Sequence, residues 1–444
     1  MSLGQTRSGS IEELRGKLLG LAHEYAAAVS SRKLQPGVDY LPPSGKVVGE
    51  EEFAGLLQAS ADMWLTAGRF ADQFEAEFPK RFNLKHSLLV NSGSSANLVA
   101  FSALTSPKLR ERQIKSDDEM ITPACGFPTT IAPAMQAGLK PVFIDVDLET
   151  QNATLDQIER AITPKTKVIM IAHSLGNPFR ADEVAKLCKE KNIWLIEDCC
   201  DALGAKIGDQ SVGTFGNLAT CSFYPAHHIT MGEGGAVLTN DYALYKLALS
   251  FRDWGRDCYC APGVADTCNA RYKWSLGTLP KGYDHKYIYS HIGYNLKSTD
   301  FQAALGLAQL NRLDGFIAAR RHNHDYLGEC LRKLGMEEHL ILPKATPGTT
   351  PSWFGFFMTL RKPGIRSEVV QKLEANKVGT RLLFAGNMTR QPAFAGIDYK
   401  TVGELTHTDK IMNDGFWVGI WPGLEKTHME YIAEQIKIAV LSVT

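Results

Sequence analysis

Between positions 87 and 239, short apolar runs alternate with longer stretches whose apolar residues recur every three or four positions. The runs at 87–90, 120–122, 141–146, 167–172 and 193–199 read as strands. Helical spacing follows them, clearest at 155–162, 181–191 and 241–251. Ala219, Cys221 and Phe223 alternate with polar neighbours into a loop, and 236–239 returns as a strand. Strands that are apolar on both faces need helices on both faces. The rhythm therefore predicts an α/β fold with a mainly parallel sheet, whose functional side chains stand at strand ends.

Outside this region, Ser10 and Glu13 have the spacing of a capping box, predicting an N-terminal helical arm that runs to about Ser30. A second helix is expected from about 50 to before Gly68. The helical pattern of 301–313 extends to about 334 and should bridge to a smaller C-terminal α/β domain. That domain carries a Pro/Gly-rich connector at 343–351, strands at 353–360 and 380–384, and helices at 366–377 and 429–443. The division expected is an arm at 1–40, a large domain at 41–312 with a cysteine-rich insertion near 252–292, and a small domain at 313–444.

Composition narrows the partners. Lys plus Arg equals Asp plus Glu at 48 each in 444 residues, so no net field favours nucleic acid or a membrane surface. No apolar run approaches the roughly 18 residues of a spanning helix. A cytoplasmic protein with a small-molecule substrate is the expectation. Nine cysteines in a chain this long suit thiols or metal ligands better than a secreted disulfide scaffold.

Candidate chemistry gathers in four stretches. Asn91-Ser-Gly-Ser-Ser-Ala-Asn97 turns from a strand into a helix, exposing amides and a positive dipole end suited to phosphate. Asp198 closes the strand 193–199. Ser222-Phe-Tyr-Pro-Ala-His-His-Ile-Thr-Met-Gly-Glu-Gly-Gly235 carries adjacent imidazoles, and histidine suits proton transfer near neutrality. Arg252 to Cys268 contains Cys258-x-Cys260-x7-Cys268, three thiols in a Gly/Pro/Asp loop. Four thiolates would suit either an iron-sulfur cluster or structural zinc.

The histidine stretch resembles the coenzyme-anchoring loop of the sugar aminotransferase family that uses pyridoxal phosphate, Ser-Phe-x-x-x-Lys-x-(Ile/Leu)-Thr-x-Gly-Glu-Gly-Gly, with His227 at the lysine position. That departure resembles the 3-dehydratases of 4-keto-6-deoxy nucleotide sugars, and among them the iron-sulfur branch that acts on CDP-4-keto-6-deoxy-glucose. The resemblance implies a fold type I PLP-dependent transferase-like architecture and a homodimer. It also implies pyridoxamine 5'-phosphate held as the free amine, because imidazole cannot bind it covalently.

By the same resemblance, Ser94 and Ser95 amides and the Ser222 hydroxyl hold the phosphate, Phe127 stacks on the pyridine, and Asp198 pairs with its nitrogen. Asp201 stands where relatives carry His or Gln. Asn295, in Gly293-Tyr-Asn-Leu-Lys-Ser-Thr-Asp300, reaches a neighbouring subunit's phosphate, and Arg381 and Arg390 are candidates for the diphosphate or sugar. Cys200, with Cys258, Cys260 and Cys268, matches Cys-x57-Cys-x-Cys-x7-Cys and implies a 2Fe-2S cluster. Cys199, on the opposite face of an extended strand end, is the fallback.

The implied function is dehydration and deoxygenation at carbon 3, with His227 as base and electrons from a flavin and iron-sulfur NAD(P)H reductase, in deoxysugar biosynthesis for a lipopolysaccharide O-antigen. Two alternatives stand beside it: a cluster-free dehydratase, and a zinc-stabilised binding or electron-transfer protein. The residues do not choose among CDP, dTDP and GDP.

Overall fold

The computed structural model describes residues 3–29 and 33–443, with side chains in the first helix from Ser10 onward. The strands in chain order are β1 (His86–Val90), β2 (Glu119–Pro123), β3 (Lys140–Ile144), β4 (Thr166–Ala172) and β5 (Trp194–Asp198). Next come β6 (Lys206–Ile207), β7 (Gln210–Ser211), β8 (Leu218–Ser222), β9 (Gly235–Thr239) and β10 (Leu340–Ile341). The last are β11 (Thr349–Thr350), β12 (Gly355–Leu360), β13 (Thr380–Arg381), β14 (Lys400–Thr401) and β15 (Gly415–Gly419).

The large sheet has the order β1-β9-β8-β5-β4-β2-β3-β14. It is parallel from β8 to β14, and β9 runs antiparallel to both of its neighbours.

The unbroken apolar runs are explained by burial on both faces. In β4, Val168 and Met170 enter one core while Ile169 and Ile171 enter the other. The α-helices of this half are α1 (Leu3–Val29), α2 (Glu50–Asp62), α3 (Arg69–Glu77), α4 (Gly93–Leu104), α5 (Pro128–Gln136), α6 (Leu155–Ala161), α7 (Ala181–Lys191) and α8 (Tyr242–Arg252). Phe74 and Phe78 and the α7 residues Val184 and Leu187 fill one side. Val99 and Phe101 of α4, Ile131 of α5 and Leu247 of α8 fill the other.

The helix α9 (Asp300–Lys333) bridges to a four-stranded sheet of order β10-β12-β15-β13, which packs against α10 (Arg366–Ala375), α11 (Thr406–Asp414) and α12 (Lys426–Leu441). Leu327, Phe356, Val418 and Ile432 lie in its core.

Several boundaries differ from expectation. Helix α1 begins upstream of Ser10, at Leu3, running through Gly9; Ser10 is interior and residue 30 lies outside the described residues. The strand expected at 380–384 pairs only at Thr380 and Arg381, and Phe384 adopts a left-handed φ of 46° that ends extended geometry. The boundary expected at 312/313 falls inside the continuous α9, and two segments cross it. Leu41 bridges to Val378, and β14 joins the edge of the large sheet beside β3.

Glycines make one junction possible. A Cβ on Gly235 would lie 2.3 Å from the Ser92 carbonyl oxygen and one on Gly93 would lie 2.4 Å from the Ser222 Cβ, so the end of β8, the start of β9 and the start of α4 meet without side chains between them. Gly235→Ala should therefore push backbone against backbone and lower unfolding free energy by about 1–3 kcal/mol in urea titration.

Candidate active site

The C-terminal ends of β5 and β8 and the N-termini of α4 and α5 converge on a cavity of about 610 Å³. The small domain closes it with Phe354, Arg381, Phe384 and Trp417. Of the residues singled out from sequence, Ser94, Phe127, Asp198, Cys200, Asp201, Ser222, His227 and Arg381 line this one space.

Asp198 is buried at the end of β5, where its Oδ2 accepts from Asn97 Nδ2 at 2.9 Å and Thr130 Oγ1 at 2.8 Å. Its Oδ1 accepts from the Cys200 amide at 3.1 Å. Thr220 Oγ1 donates to Asn97 Oδ1 at 2.6 Å, fixing the amide's orientation. A buried carboxylate is tolerable because donors surround it. Asn97, Thr130 and Thr220 were missed from sequence, being ordinary polar residues on α4, α5 and β8; only their shared place beside a strand-end aspartate could have marked them.

At the start of α4, Ser92 caps the helix, its Oγ accepting from the Ser95 amide at 3.0 Å. Ser94 Oγ donates to Thr129 Oγ1 at 3.1 Å and faces the cavity, whereas Ser95 lies behind the cap. The Ser222 hydroxyl accepts from the Tyr224 amide at 3.4 Å. Phe127 is 48% exposed, with its ring edge-on to Phe384 at 6.3 Å, so one face is left open.

His227 stands with Nδ1 3.4 Å from Asp201 Oδ1, an ion-pair distance when the ring is protonated. Its ring tilts against Phe354 at 5.3 Å. Among the described residues, neither His227 Nδ1 nor Asp201 Oδ2 has a hydrogen-bond partner. These orphaned polar atoms, the helix N-terminus and the glycine junction fit a small polar group carrying a phosphate. The neighbouring His228 is different. Its Nε2 donates to the Ser352 carbonyl at 2.9 Å, and burial, with Arg320 and His227 nearby, pushes its pKa well below the usual imidazole value. It is a neutral structural residue.

Arg320 of α9 holds this loop. It donates to the carbonyls of Phe354 at 3.0 Å and of Ala226 and His227 at 3.2 Å each, while only 1% exposed. Burial lowers its pKa to about 10, so it stays charged at neutral pH.

The remaining candidates lie elsewhere. Asn295 is exposed, and its Oδ1 accepts from Lys297 Nζ at 2.6 Å. Arg390 is committed to Asp409 at 2.8 Å and does not line the cavity. Cys199 is buried, its Sγ directed to the Glu197 carbonyl at 3.9 Å, while Cys200 faces the cavity, where burial beside Asp198 pushes its thiol pKa well up.

Cys258, Cys260 and Cys268 sit in the insertion, with Cys260 Sγ 3.0 Å from Thr267 Oγ1. Among the described residues, the trio of potential ligands whose atoms all lie within 4.8 Å of one another is His173, Glu197 and Cys199. In the insertion the thiols of Cys258, Cys260 and Cys268 are close enough to act on one another, while Cys200 lines the cavity. Glu197 in that trio is already saturated by the amides of Gly213, Phe215 and Gly216.

The fold is that of PLP-dependent aminotransferases and dehydratases. Residues 46–437 match the model of the DegT/DnrJ/EryC1/StrS aminotransferase family, and the chain belongs to that family. It is 54% identical over 427 residues to lipopolysaccharide biosynthesis protein RfbH of Salmonella typhimurium LT2, covering 96% of this chain and 97% of the relative. It is 48% identical over 433 residues to dTDP-4-dehydro-2,6-dideoxy-D-glucose 3-dehydratase of Saccharopolyspora spinosa, covering 97% and 93%. A solved structure of Escherichia coli GDP-4-keto-6-deoxy-D-mannose-3-dehydratase with bound hydrated PLP superimposes with a TM-score of 0.79 at 29% identity, covering 90% of this chain and 99% of that one. No helix among the described residues is long and apolar enough to cross a membrane.

The base of the cysteine insertion is pinned by His291, which Ser106 Oγ and Ser250 Oγ approach at 2.7 and 2.8 Å and which stacks on Phe251 at 4.6 Å. Burial, helped by Lys108, lowers the His291 pKa to about 4. The unfolded chain then binds a proton that the folded chain refuses, so stability is lost as pH falls from about 6.5 towards 4. Urea midpoints should fall across that window, and His291→Asn should flatten the part of the slope due to this ring.

Proposed function

We propose that the chain dehydrates a nucleotide-linked 4-keto-6-deoxyhexose at carbon 3 with pyridoxamine 5'-phosphate, in deoxysugar biosynthesis for a lipopolysaccharide O-antigen. The observation that carries this reading is the cavity wall. Among the described residues that line it there is no lysine, and His227 occupies the anchoring-loop position where the family pattern has one. The family membership and the two 3-dehydratases among the relatives support the same reaction class.

When bound, the coenzyme supplies an amine that condenses with the 4-ketone and a ring that accepts electron density. The residues supply the rest. Ser94 at the positive end of α4, with the Ser222 hydroxyl, holds the phosphate, and Ser95, whose amide bonds the Ser92 hydroxyl, keeps that turn in place. Phe127 offers its open face to the ring. Asp198, fixed by Asn97 and Thr130, keeps the ring nitrogen protonated. His227 removes the proton from the coenzyme methylene, with Asp201 stabilising the imidazolium that results. Arg381, on the substrate side, offers charge to the diphosphate. Asn295, exposed and away from its own cavity, reaches the phosphate of the other subunit in a homodimer.

The reductive half belongs to the same proposal: Cys200, Cys258, Cys260 and Cys268 as ligands of a 2Fe-2S site served by a flavin and iron-sulfur NAD(P)H reductase, with a CDP-linked substrate. Its support is the spacing of the four cysteines. The cluster-free dehydratase stands as the second reading, and we derive no step through a cluster.

His227→Asn should leave coenzyme binding intact and lower turnover by about 10²–10⁴, the usual worth of a positioned general base. His227→Lys should retain coenzyme covalently after borohydride reduction. Loss of coenzyme binding in both variants would overturn the assignment of the cavity. Anaerobically purified protein should show visible bands that bleach with dithionite, and iron and acid-labile sulfide in equal amounts. Zinc or no metal would leave the cluster-free dehydratase.

A further inference from the structure

Helix α1 lies before residue 46, where the family match begins, and is anchored to the body by one face only. Ala22 and Ala26 are buried against the body, and Arg15 donates to Asp62 at 2.8 Å and to the Gln58 carbonyl at 3.3 Å. Arg69 donates to the same Asp62 at 2.6 Å, so the orientation of α1 is fixed by charge on its inner side.

The flank beside that inner side is apolar. Ile11, Leu14, Leu18, Leu21, Tyr25 and Val29 are 49–63% exposed, with the Tyr25 ring also resting against Phe53 of α2 at 5.4 Å. The steps from 11 to 14, 18, 21 and 25 alternate three and four, which is the heptad seam of a coiled coil rather than a scatter of surface residues. Two small residues on the body-facing side do not account for a leucine seam that faces solvent.

We infer that this seam pairs with the same seam of a second copy of the chain, antiparallel about a two-fold axis that passes between Leu18 and Leu21. In that register Leu18 of each copy meets Leu21 of the other, and Leu14 meets Tyr25. The flank away from the body carries Lys17 and Glu24, both exposed, Lys17 also donating to Glu13 of its own helix at 2.7 Å, and the antiparallel register sets Lys17 of one copy beside Glu24 of the other, twice over. A parallel register would set Lys17 beside Ala22, with no charge to meet it.

Charge also separates this partner from a lipid surface. The polar flank includes Glu12, Glu13 and Glu24 with Lys17, and an anionic headgroup would meet more acid than base. The seam is self-complementary and belongs to a segment outside the family-shared fold. Its pairing is therefore an addition to whatever dimer the coenzyme domain forms.

Sedimentation velocity of the full chain tests this. The wild type should contain twice as many copies per particle as Leu18→Glu/Leu21→Glu. These side chains face solvent in the single chain, so circular dichroism of the variant should be unchanged. Lys17→Glu should raise the dissociation constant several-fold, and Lys17→Glu with Glu24→Lys should restore it. Equal mass for the wild type and the seam variant would overturn the pairing, as would vesicle binding without self-association. Failure of the charge swap to restore affinity would overturn the antiparallel register.

Discussion

A buried guanidinium ties three parts of the molecule together. Arg320 leaves the middle of α9, reaches the carbonyls of Ala226 and His227 in the loop after β8, and reaches the Phe354 carbonyl where the chain enters the small domain. Stripping water from that cation is tolerable only because each of these carbonyls accepts from it and the Asp201 charge stands nearby. Backbone carbonyls in a loop have no ladder to satisfy them, so the same contact answers their need. The position of the His227 imidazole is thus set by a residue on another element, through the loop's main chain.

Around that tie, two of the carboxylates that line the cavity have opposite surroundings. Asp198 is enclosed by donors from α4 and α5. Asp201 keeps one oxygen without a hydrogen-bond partner and the other at 3.4 Å from an imidazole. One has its oxygens engaged within the protein and the other keeps an oxygen available beside the ring. Two adjacent histidines divide in the same way, His228 spent on a carbonyl and His227 left facing the cavity.

Much of the large domain was legible because strands buried on both faces leave nearly continuous apolar runs, and the intervening helices have clear periodicity. The small domain was less so. Strand β15, Gly415-Phe-Trp-Val-Gly419, sits at the centre of its sheet yet is short and bounded by glycines, so neither length nor propensity marks it. The helix α11 before it is mostly polar, and β14 is two residues long. Motif spacing located the residues at strand ends, Asp198, Ser222 and His227, because such positions are set locally. Arg320 escaped notice because an arginine within a long helix reads as surface until tertiary packing buries it. Asn295 and the insertion cysteines were visible as patterns, but a pattern does not say which loops approach each other.

The two-residue strand β14 closes the open side of the large sheet. It pairs in parallel with β3, and its Lys400 is bound to Glu119 of β2. A parallel edge left bare presents unpaired amides and carbonyls to any other chain in solution. Here that edge is covered by a segment that comes from beyond the small sheet's third strand, so the two lobes are stitched by the backbone at both ends, through Leu41 and through Lys400. Proteolytic removal of the C-terminal lobe would not release a self-sufficient coenzyme domain. It would uncover a sticky edge, which makes the two lobes a single proteostatic unit.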